Sequence, residues 1–407
     1  MVDPVISLLS REFKDDPIAA YARLREMSPL VRIGFPGGPP VWLITRNEGV
    51  KAALADPRLV TQASNVPGHN GPSLADQAVA LLGLPEEYRE AVTSNLMVSD
   101  GAYHTRLRRL VRPAFAPRRI KALRPRIEEI SAGLIEGLAR KGTGDLIKDY
   151  SQPLTGAVIC ELIGIDEADQ PEVREYMNVY ASADADFAAG TRGLFEYIKQ
   201  LIARRRVEPR DDMISTMVEA IGDDGDRFTE PEMIAMAGLM VNAGYHSTAG
   251  FIGKAVLVLL DNPDQLALLR ARPDAMPHAM EELMRVANPV PNAGPRYATE
   301  DFEFAGVPVR RGDALTGSLQ SANHDPRVFP DPQRCDVQRE LKPGEGHLAF
   351  GAGPHRCLGA ALAYLEGEVA LNHLMIQRDT LRLAGRLRYR EPIPGGAQLF
   401  AAFPVQL

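Results

Sequence analysis

Of 407 residues only three are cysteines, Cys160, Cys335 and Cys357, and no two form a CxxC pair. So small and scattered a set excludes a disulfide framework and a four-cysteine zinc site. A basic excess is missing as well: 46 Lys and Arg against 53 Asp and Glu leave a net charge of −7. That balance argues against a dedicated nucleic-acid binder. Long apolar runs are absent; Ala255 to Leu260 is among the longest, far below the roughly 18 residues that span a bilayer. The N-terminus carries Asp3 and Pro4 before a short apolar stretch, unlike a secretory signal. We expect a cytoplasmic protein that uses neither membrane nor nucleic acid. Internal repeats, low-complexity blocks and linker-like stretches are lacking too, so one domain over residues 1–407 is expected, in a chain 45% hydrophobic and 24% charged.

What is present is mostly helical periodicity. Apolar residues recur every three or four positions over 17–27, 120–140, 154–163, 188–205 and 264–285. Strand-like runs are shorter: Leu30 to Ile33, Val41 to Thr45, Phe302 to Phe304 and Val307 to Val309. The most informative helix begins at Thr229, where TEPE sets an N-cap hydroxyl three residues ahead of Glu232 with a proline in the first turn. It is expected to run to Asn262, roughly 50 Å at 1.5 Å per residue. Within it lie Gly238, Gly244, Gly250 and Gly253, each costing on the order of 1 kcal/mol relative to alanine. Either a ligand or a neighbouring helix must approach that backbone closely.

The chemistry concentrates at Phe350 to Gly359, FGAGPHRCLG, ahead of the helical run AALAYLEGEVAL. A cysteine at a helix start meets unpaired amides and a dipole that favour a thiolate, and the preceding glycines let amides turn toward its sulfur. With no second Cys or His at zinc spacing, Cys357 reads as a single axial thiolate to a metal held by a porphyrin. A buried structural cysteine is the plain alternative. Glu282 and Arg285 in ELMR share a helix face and can meet a third partner from a loop.

These residues resemble the cytochrome P450 heme-thiolate monooxygenases, specifically the soluble bacterial, actinobacterial secondary-metabolism type. FGAGPHRCLG matches the family's FGxGxHxCxG, and ELMR matches its ExxR. The resemblance covers nearly the whole chain and implies a mainly α cytochrome P450 fold, a large helical part with a small β-rich lobe contributed mainly by 28–60 and 296–320. It implies heme b, with Cys357 as the proximal iron ligand, Phe350, Gly351 and Gly359 around it, and His104, Arg108, Arg296 and His355 offering cations to the propionates. Arg334, in PDPQRC, matches the loop arginine expected to join Glu282 and Arg285, with Cys335 standing where the family usually has phenylalanine. Nine Lys/Arg and no acid between Gly101 and Ile127 imply a docking face for an acidic ferredoxin, itself reduced by a ferredoxin reductase, with Arg109 and Arg112 at its exposed part. A solvated charged face is the other reading of such a run.

In the long helix, MVNAGYHSTAG stands where the family reads AGx(D/E)TT. Ala243, Gly244 and Thr248 match; His246 replaces the acid and Ser247 the first threonine. By the resemblance these residues are catalytic, bringing protons to reduced oxygen. Ser247 keeps an alcohol, while His246 either relays protons in place of the carboxylate or points into a polar pocket or toward solvent; the substrate's own hydroxyl could also complete the relay. Substrate-lining positions by analogy are Leu81, Leu82, Val92, Asn95 and Leu96 in the entrance loop; Met177 and Tyr180 on an intermediate helix; Met240 and Val241; Val290, Pro291 and Asn292 after ExxR; and Leu399 and Phe400 in the C-terminal loop. The expected function is O2-dependent hydroxylation or epoxidation, with ring formation or coupling as rarer outcomes, of a hydrophobic secondary metabolite such as a polyketide, macrolide or peptide-derived intermediate, by a monomer. Alternatives are a peroxide-driven peroxygenase and a non-catalytic P450-derived partner protein.

Overall fold

One helix organises the molecule. In the computed structural model, which describes residues 5–34, 39–71, 80, 95–182, 187–222, 225–342, 344–390 and 399–407, it spans Glu230–Asp261. Its start is fixed by a capping box: Thr229 Oγ1 accepts from the Glu232 amide at 3.3 Å and Glu232 Oε2 accepts from the Thr229 amide at 2.9 Å. Most of its length is buried. The glycines answer the question their cost raised, because a Cβ on Gly238 would lie 2.8 Å from Phe195, on Gly244 2.6 Å from Ile159, and on Gly253 2.7 Å from Ile147. Neighbouring elements therefore close on this helix at near-backbone distance. The helix that follows the cysteine, Ala360–Leu371, approaches it as tightly, since a Cβ on Gly367 would meet Phe251 at 2.6 Å.

Around this axis, helices Arg124–Lys141, Gln152–Ile163 and Phe187–Val207 contribute to one large apolar core that also takes in the long helix and the cysteine helix. Their bounds follow the sequence periodicity closely. The expected helix over 264–285 is instead two, Pro263–Ala271 and Met276–Val286, because Pro273 lacks the amide a continuing helix needs.

The β lobe is a six-stranded sheet in which Ile6–Ser7, Leu30–Gly34, Val41–Ile44, Ala314–Gly317, Arg296–Ala298 and Leu59–Val60 lie side by side in that order. Val41–Ile44 runs parallel to Ala314–Gly317, with Leu43 opposite Thr316. The sheet thereby carries Arg296 to the edge of the helical part. Small antiparallel ladders near the C-terminus, one pairing Arg388–Tyr389 with Phe400–Ala402, close the other side.

Beneath the cysteine loop sits a buried charged cluster. Arg285 grips Glu282 with two hydrogen bonds of 2.7 Å and donates to the carbonyls of Asn323, Pro332 and Arg334. The third side chain is Arg339, whose Nε lies 3.1 Å from both Glu282 oxygens. This corrects the assignment of Arg334: its side chain is exposed and it contributes only its carbonyl. Cys335, next to it, is buried in the core. Close by, His324 is 5% exposed, with Nδ1 2.9 Å from the Gln320 carbonyl. Burial pushes its pKa down to about 4.

Two outcomes follow from these buried charges. Arg339→Ala leaves Glu282 short of a charge partner and should destabilise the protein by about 2 kcal/mol or more, whereas Arg334→Ala should stay within about 0.5 kcal/mol, both read from urea unfolding. Because His324 is held below its free value near 6.5, it favours folding fully above that pH and less as pH falls toward 4. The unfolding midpoint should drop across that window, by up to about 3 kcal/mol from this group, and His324→Asn should flatten the drop.

Candidate active site

Between the long helix and the cysteine loop lies a cavity of about 850 Å³, large for a ligand pocket. The loop geometry at its floor is dictated by glycine. Gly351 and Gly353 adopt φ of +67° and +68°, and a Cβ on Gly353 would strike the carbonyl oxygen of Leu54. Only glycine tolerates both the left-handed backbone and that approach. The loop is pinned by the Cys357 amide donating to the Phe350 carbonyl at 2.9 Å. Phe350 packs against Tyr364 at 5.3 Å and His347 at 5.8 Å between ring centroids.

Cys357 is exposed, and what it is exposed to includes the cavity, which its residue lines. The surrounding protein pushes its thiol pKa up, while the amides of Gly359 and Ala360 at the start of the following helix and the cations Arg108 and Arg356 pull the other way. Those amides and cations are the arrangement that favours a sulfur anion. Among the described residues no group of three or more His, Cys, Asp or Glu could hold a metal ion. A metal at this sulfur must therefore bring most of its own ligands.

The cavity wall shows what such a group must look like. Arg296 is 8% exposed, yet its guanidinium donates only to the carbonyls of Gly294 and Pro295 in its own turn. Burial lowers its pKa. The ring of His104 is buried with Nε2 unpartnered and lies 4.1 Å from the ring of His355. Arg108 reaches the Arg356 carbonyl at 2.7 Å. All four residues line the cavity. Desolvation pushes His104 down and takes His355 to about 3, with Arg296 and His104 adding to the latter. Both histidines are thus neutral donors rather than the cations expected from sequence, until an anion arrives to raise them. Asp100 opposes the lowering at Arg296 through its charge without hydrogen-bonding the guanidinium among the described residues, and a buried guanidinium so weakly paired is costly. These residues fit a dianionic, metal-bearing ligand such as heme b, whose carboxylates Arg108, Arg296 and the histidine pair would hold and whose metal Cys357 would hold.

Opposite the sulfur, the long helix contributes Ala243, Gly244, His246, Ser247 and Thr248 to the wall. The Ser247 hydroxyl is donated to the Ala243 carbonyl one turn back. His246 is 8% exposed; its Nδ1 lies 3.2 Å from the Gln152 amide nitrogen and its ring packs 4.3 Å from that of Tyr245. Burial, with the charge of Arg390, lowers it to about 4.

Of the substrate positions expected from sequence, Leu96, Met240, Val290, Asn292 and Leu399 line the cavity. Leu81, Leu82 and Val92 lie outside the described residues, as does the side chain of Tyr180. The rest are displaced from the wall for packing reasons. Met177 and Val241 are buried in the helical core, and Phe400 is tucked under Gly253 and against Phe403. The Asn95 side chain holds the Met97 amide at 2.9 Å. Pro291 is occupied through its carbonyl, which accepts from the Gln320 amide. Sequence reasoning missed Met97, Val98 and Leu239, which do face the cavity, and it missed Glu366. That carboxylate is 2% exposed with Oε2 unpartnered, and burial raises its pKa well above the usual range, so it keeps its proton. An acid inside the apolar run AALAYLEGEVAL was the signal available, although Glu368 in the same run pairs with Arg124 and only Glu366 turns inward.

The basic stretch from Gly101 to Ile127 is partly consumed internally. Arg106 pairs with Asp226 and Glu232, Arg119 with Asp211, Arg124 with Glu368, and Arg126 with Glu161. Arg109, Arg112, Arg118 and Lys121 are exposed. No helix among the described residues is long and apolar enough to cross a membrane.

Comparison with known proteins agrees with this geometry. Residues 274–381 match the family model for Cytochrome P450. The chain is 38% identical over 383 residues to 6-deoxyerythronolide B hydroxylase of Saccharopolyspora erythraea, covering 93% of each. It is 38% identical to Vitamin D(3) 25-hydroxylase of Pseudonocardia autotrophica, covering 94% of this chain and 92% of that protein. Among solved structures, the cytochrome P450 PksS of the Bacillus subtilis bacillaene polyketide synthase superposes with a TM-score of 0.87 at 32% identity over 98% of each chain. A glycine-shaped loop presenting one cysteine to a cavity lined by Arg108 and Arg296, and relatives this similar along nearly the full length, make the chain a member of the cytochrome P450 family, a heme b monooxygenase.

Proposed function

We propose that this monooxygenase hydroxylates or epoxidises a hydrophobic secondary metabolite of polyketide or macrolide type, with electrons passed from NAD(P)H through a ferredoxin reductase and a ferredoxin. The observation that carries this reading is the cavity itself: large, mostly apolar, and bounded by the Cys357 sulfur on one side and the Ser247 and Thr248 hydroxyls on the other. Similar proteins support the substrate class, since the name of one is mycinamicin IV hydroxylase/epoxidase and of another a hydroxylase of 6-deoxyerythronolide B. No arginine lies in the long helix, which counts against a peroxygenase that anchors a fatty-acid carboxylate there.

When bound, heme b supplies reductive activation of O2 and transfer of one oxygen atom to the substrate. The chain's own residues supply the rest. Cys357 would hold the iron through its sulfur as an anion, toward which the amides of Gly359 and Ala360 contribute. Arg108, Arg296, His104 and His355 hold the carboxylates. Apolar side chains such as Leu239, Met240 and Leu399 exclude water and orient an apolar substrate. Ser247 presents a hydroxyl that can leave the Ala243 carbonyl and hand a proton to reduced oxygen, and Glu366 stores a proton in the same wall. His246, neutral at physiological pH, acts there by hydrogen bonding rather than by charge. The exposed Arg109 and Arg112 offer the acidic ferredoxin its landing surface.

Ser247→Ala should raise hydrogen peroxide released per NADPH consumed several-fold with substrate affinity unchanged, measured with ferredoxin, its reductase and a macrolactone that shifts the heme spin state. Unchanged coupling would remove Ser247 from proton delivery.

A further inference from the structure

Polar side chains on the cavity wall differ in what is left of them for a substrate. Several are spent inside the protein. The Asn288 carboxamide closes on Val290, donating to its carbonyl at 2.8 Å and accepting from its amide at 3.1 Å. Asn292 Oδ1 accepts from the Tyr21 hydroxyl at 3.4 Å. The Thr61 hydroxyl donates to the Ser99 carbonyl at 3.3 Å, and the Ser247 hydroxyl to the Ala243 carbonyl. The partnerless atoms of His246 and Glu366 are buried.

Asn242 is the contrast. Along the long helix Leu239, Met240 and Val241 are buried, Asn242 and Ala243 are exposed, and Tyr245 and His246 are buried again. A residue in mid-helix keeps its backbone amide and carbonyl in the helical ladder, so the exposed part of Asn242 is chiefly its side chain. The residue lines the cavity, as does the apolar Leu239 one turn earlier on the same helix face. Its carboxamide makes no hydrogen bond to another described residue. Here, then, is a reachable donor and acceptor in a mostly apolar wall. An apolar molecule that fills the cavity takes water from both without offering a replacement. A molecule with an oxygen in register makes the hydrogen bond that the water gives up.

We propose that the Asn242 carboxamide is a specificity-determining contact, its Nδ2 donating to a carbonyl oxygen of the substrate and so orienting an otherwise apolar molecule. This rests on the reading of the cavity as the oxidation chamber, and it narrows the substrate to carbonyl-bearing compounds. A carbonyl only accepts, and the strongest donors of the wall, Arg108 and Arg296, are assigned to the heme carboxylates. Discrimination by one such match exceeds what a methylene more or less of apolar packing provides, because the wrong molecule leaves a desolvated amide unpaired.

The test uses the heme-loaded full chain and a matched pair of probes, cyclotetradecanone and cyclotetradecane, each titrated by the spin-state change in the ferric spectrum. The ratio of the two Kd values should move about five- to tenfold against the ketone in Asn242→Leu. Asn242→Gln, which keeps the carboxamide, should recover part of the preference. Infrared difference spectra with ketone labelled by 13C at the carbonyl should place its stretch below the frequency found in alkane for the native chain, and return it toward that frequency in Asn242→Leu. A Kd ratio unmoved by Asn242→Leu, a stretch in the native chain equal to that in alkane, or a ketone that leaves the ferric spectrum unaltered, in protein whose ferrous carbon monoxide band is of the thiolate type, overturns the assignment of Asn242. Absence of that band overturns the reading of the cavity instead.

Discussion

Everything in this molecule depends on holding one sulfur anion in place inside a protein. A thiolate withdrawn from bulk water is unstable unless amides and cations replace the lost solvent. Here the amides of Gly359 and Ala360 and the charges of Arg108 and Arg356 offset part of that loss, and because burial still holds the thiol pKa up, a bound metal would supply the remainder. The loop that aims them cannot be built from ordinary residues, because Gly353 sits against the Leu54 carbonyl in a left-handed conformation. The buried Glu282–Arg285–Arg339 cluster then ties the preceding segment, through the carbonyls of Asn323, Pro332 and Arg334, to the helix beneath. Charge in that cluster contributes to positioning as much as to stability, since buried ion pairs gain little net free energy.

The second constraint is close approach along the long helix. Ile159, Phe195 and Ile147 press against glycines on it, and its own Phe251 presses against Gly367 of the cysteine helix, so its position relative to that helix is set by near-backbone contact. That close packing fixes where Ser247 and His246 sit in the cavity that Cys357 also lines. Among the described residues, a minority of the buried side-chain atoms without a hydrogen-bond partner belong to residues that line the same space, including His104 Nε2, His246 Nε2 and Glu366 Oε2. A folded chain tolerates such atoms where a ligand completes them.

Much of this was legible in the sequence. The capping box at Thr229, the glycines and the cysteine loop are local patterns whose chemistry does not wait for tertiary structure. Arg339 was not legible, because Arg334 occupies the better local motif and only the path of the loop decides which guanidinium turns inward. Met177, Val241 and Phe400 have the right character for a pocket wall, but helical phase turns the first two into the core and the strand Phe400–Ala402 turns the third there. Asn95 and Pro291 lie in the right segments but are engaged by neighbouring backbone. The substitution at His246 was visible in the sequence; its contact with Gln152, ninety-four residues away, was not.

The central claim is tested most directly by electron paramagnetic resonance of the ferric, heme-loaded protein. The account predicts the rhombic low-spin signal of a thiolate-ligated heme, lost in Cys357→Ser. A signal typical of histidine ligation, or one unaffected by that substitution, would contradict it.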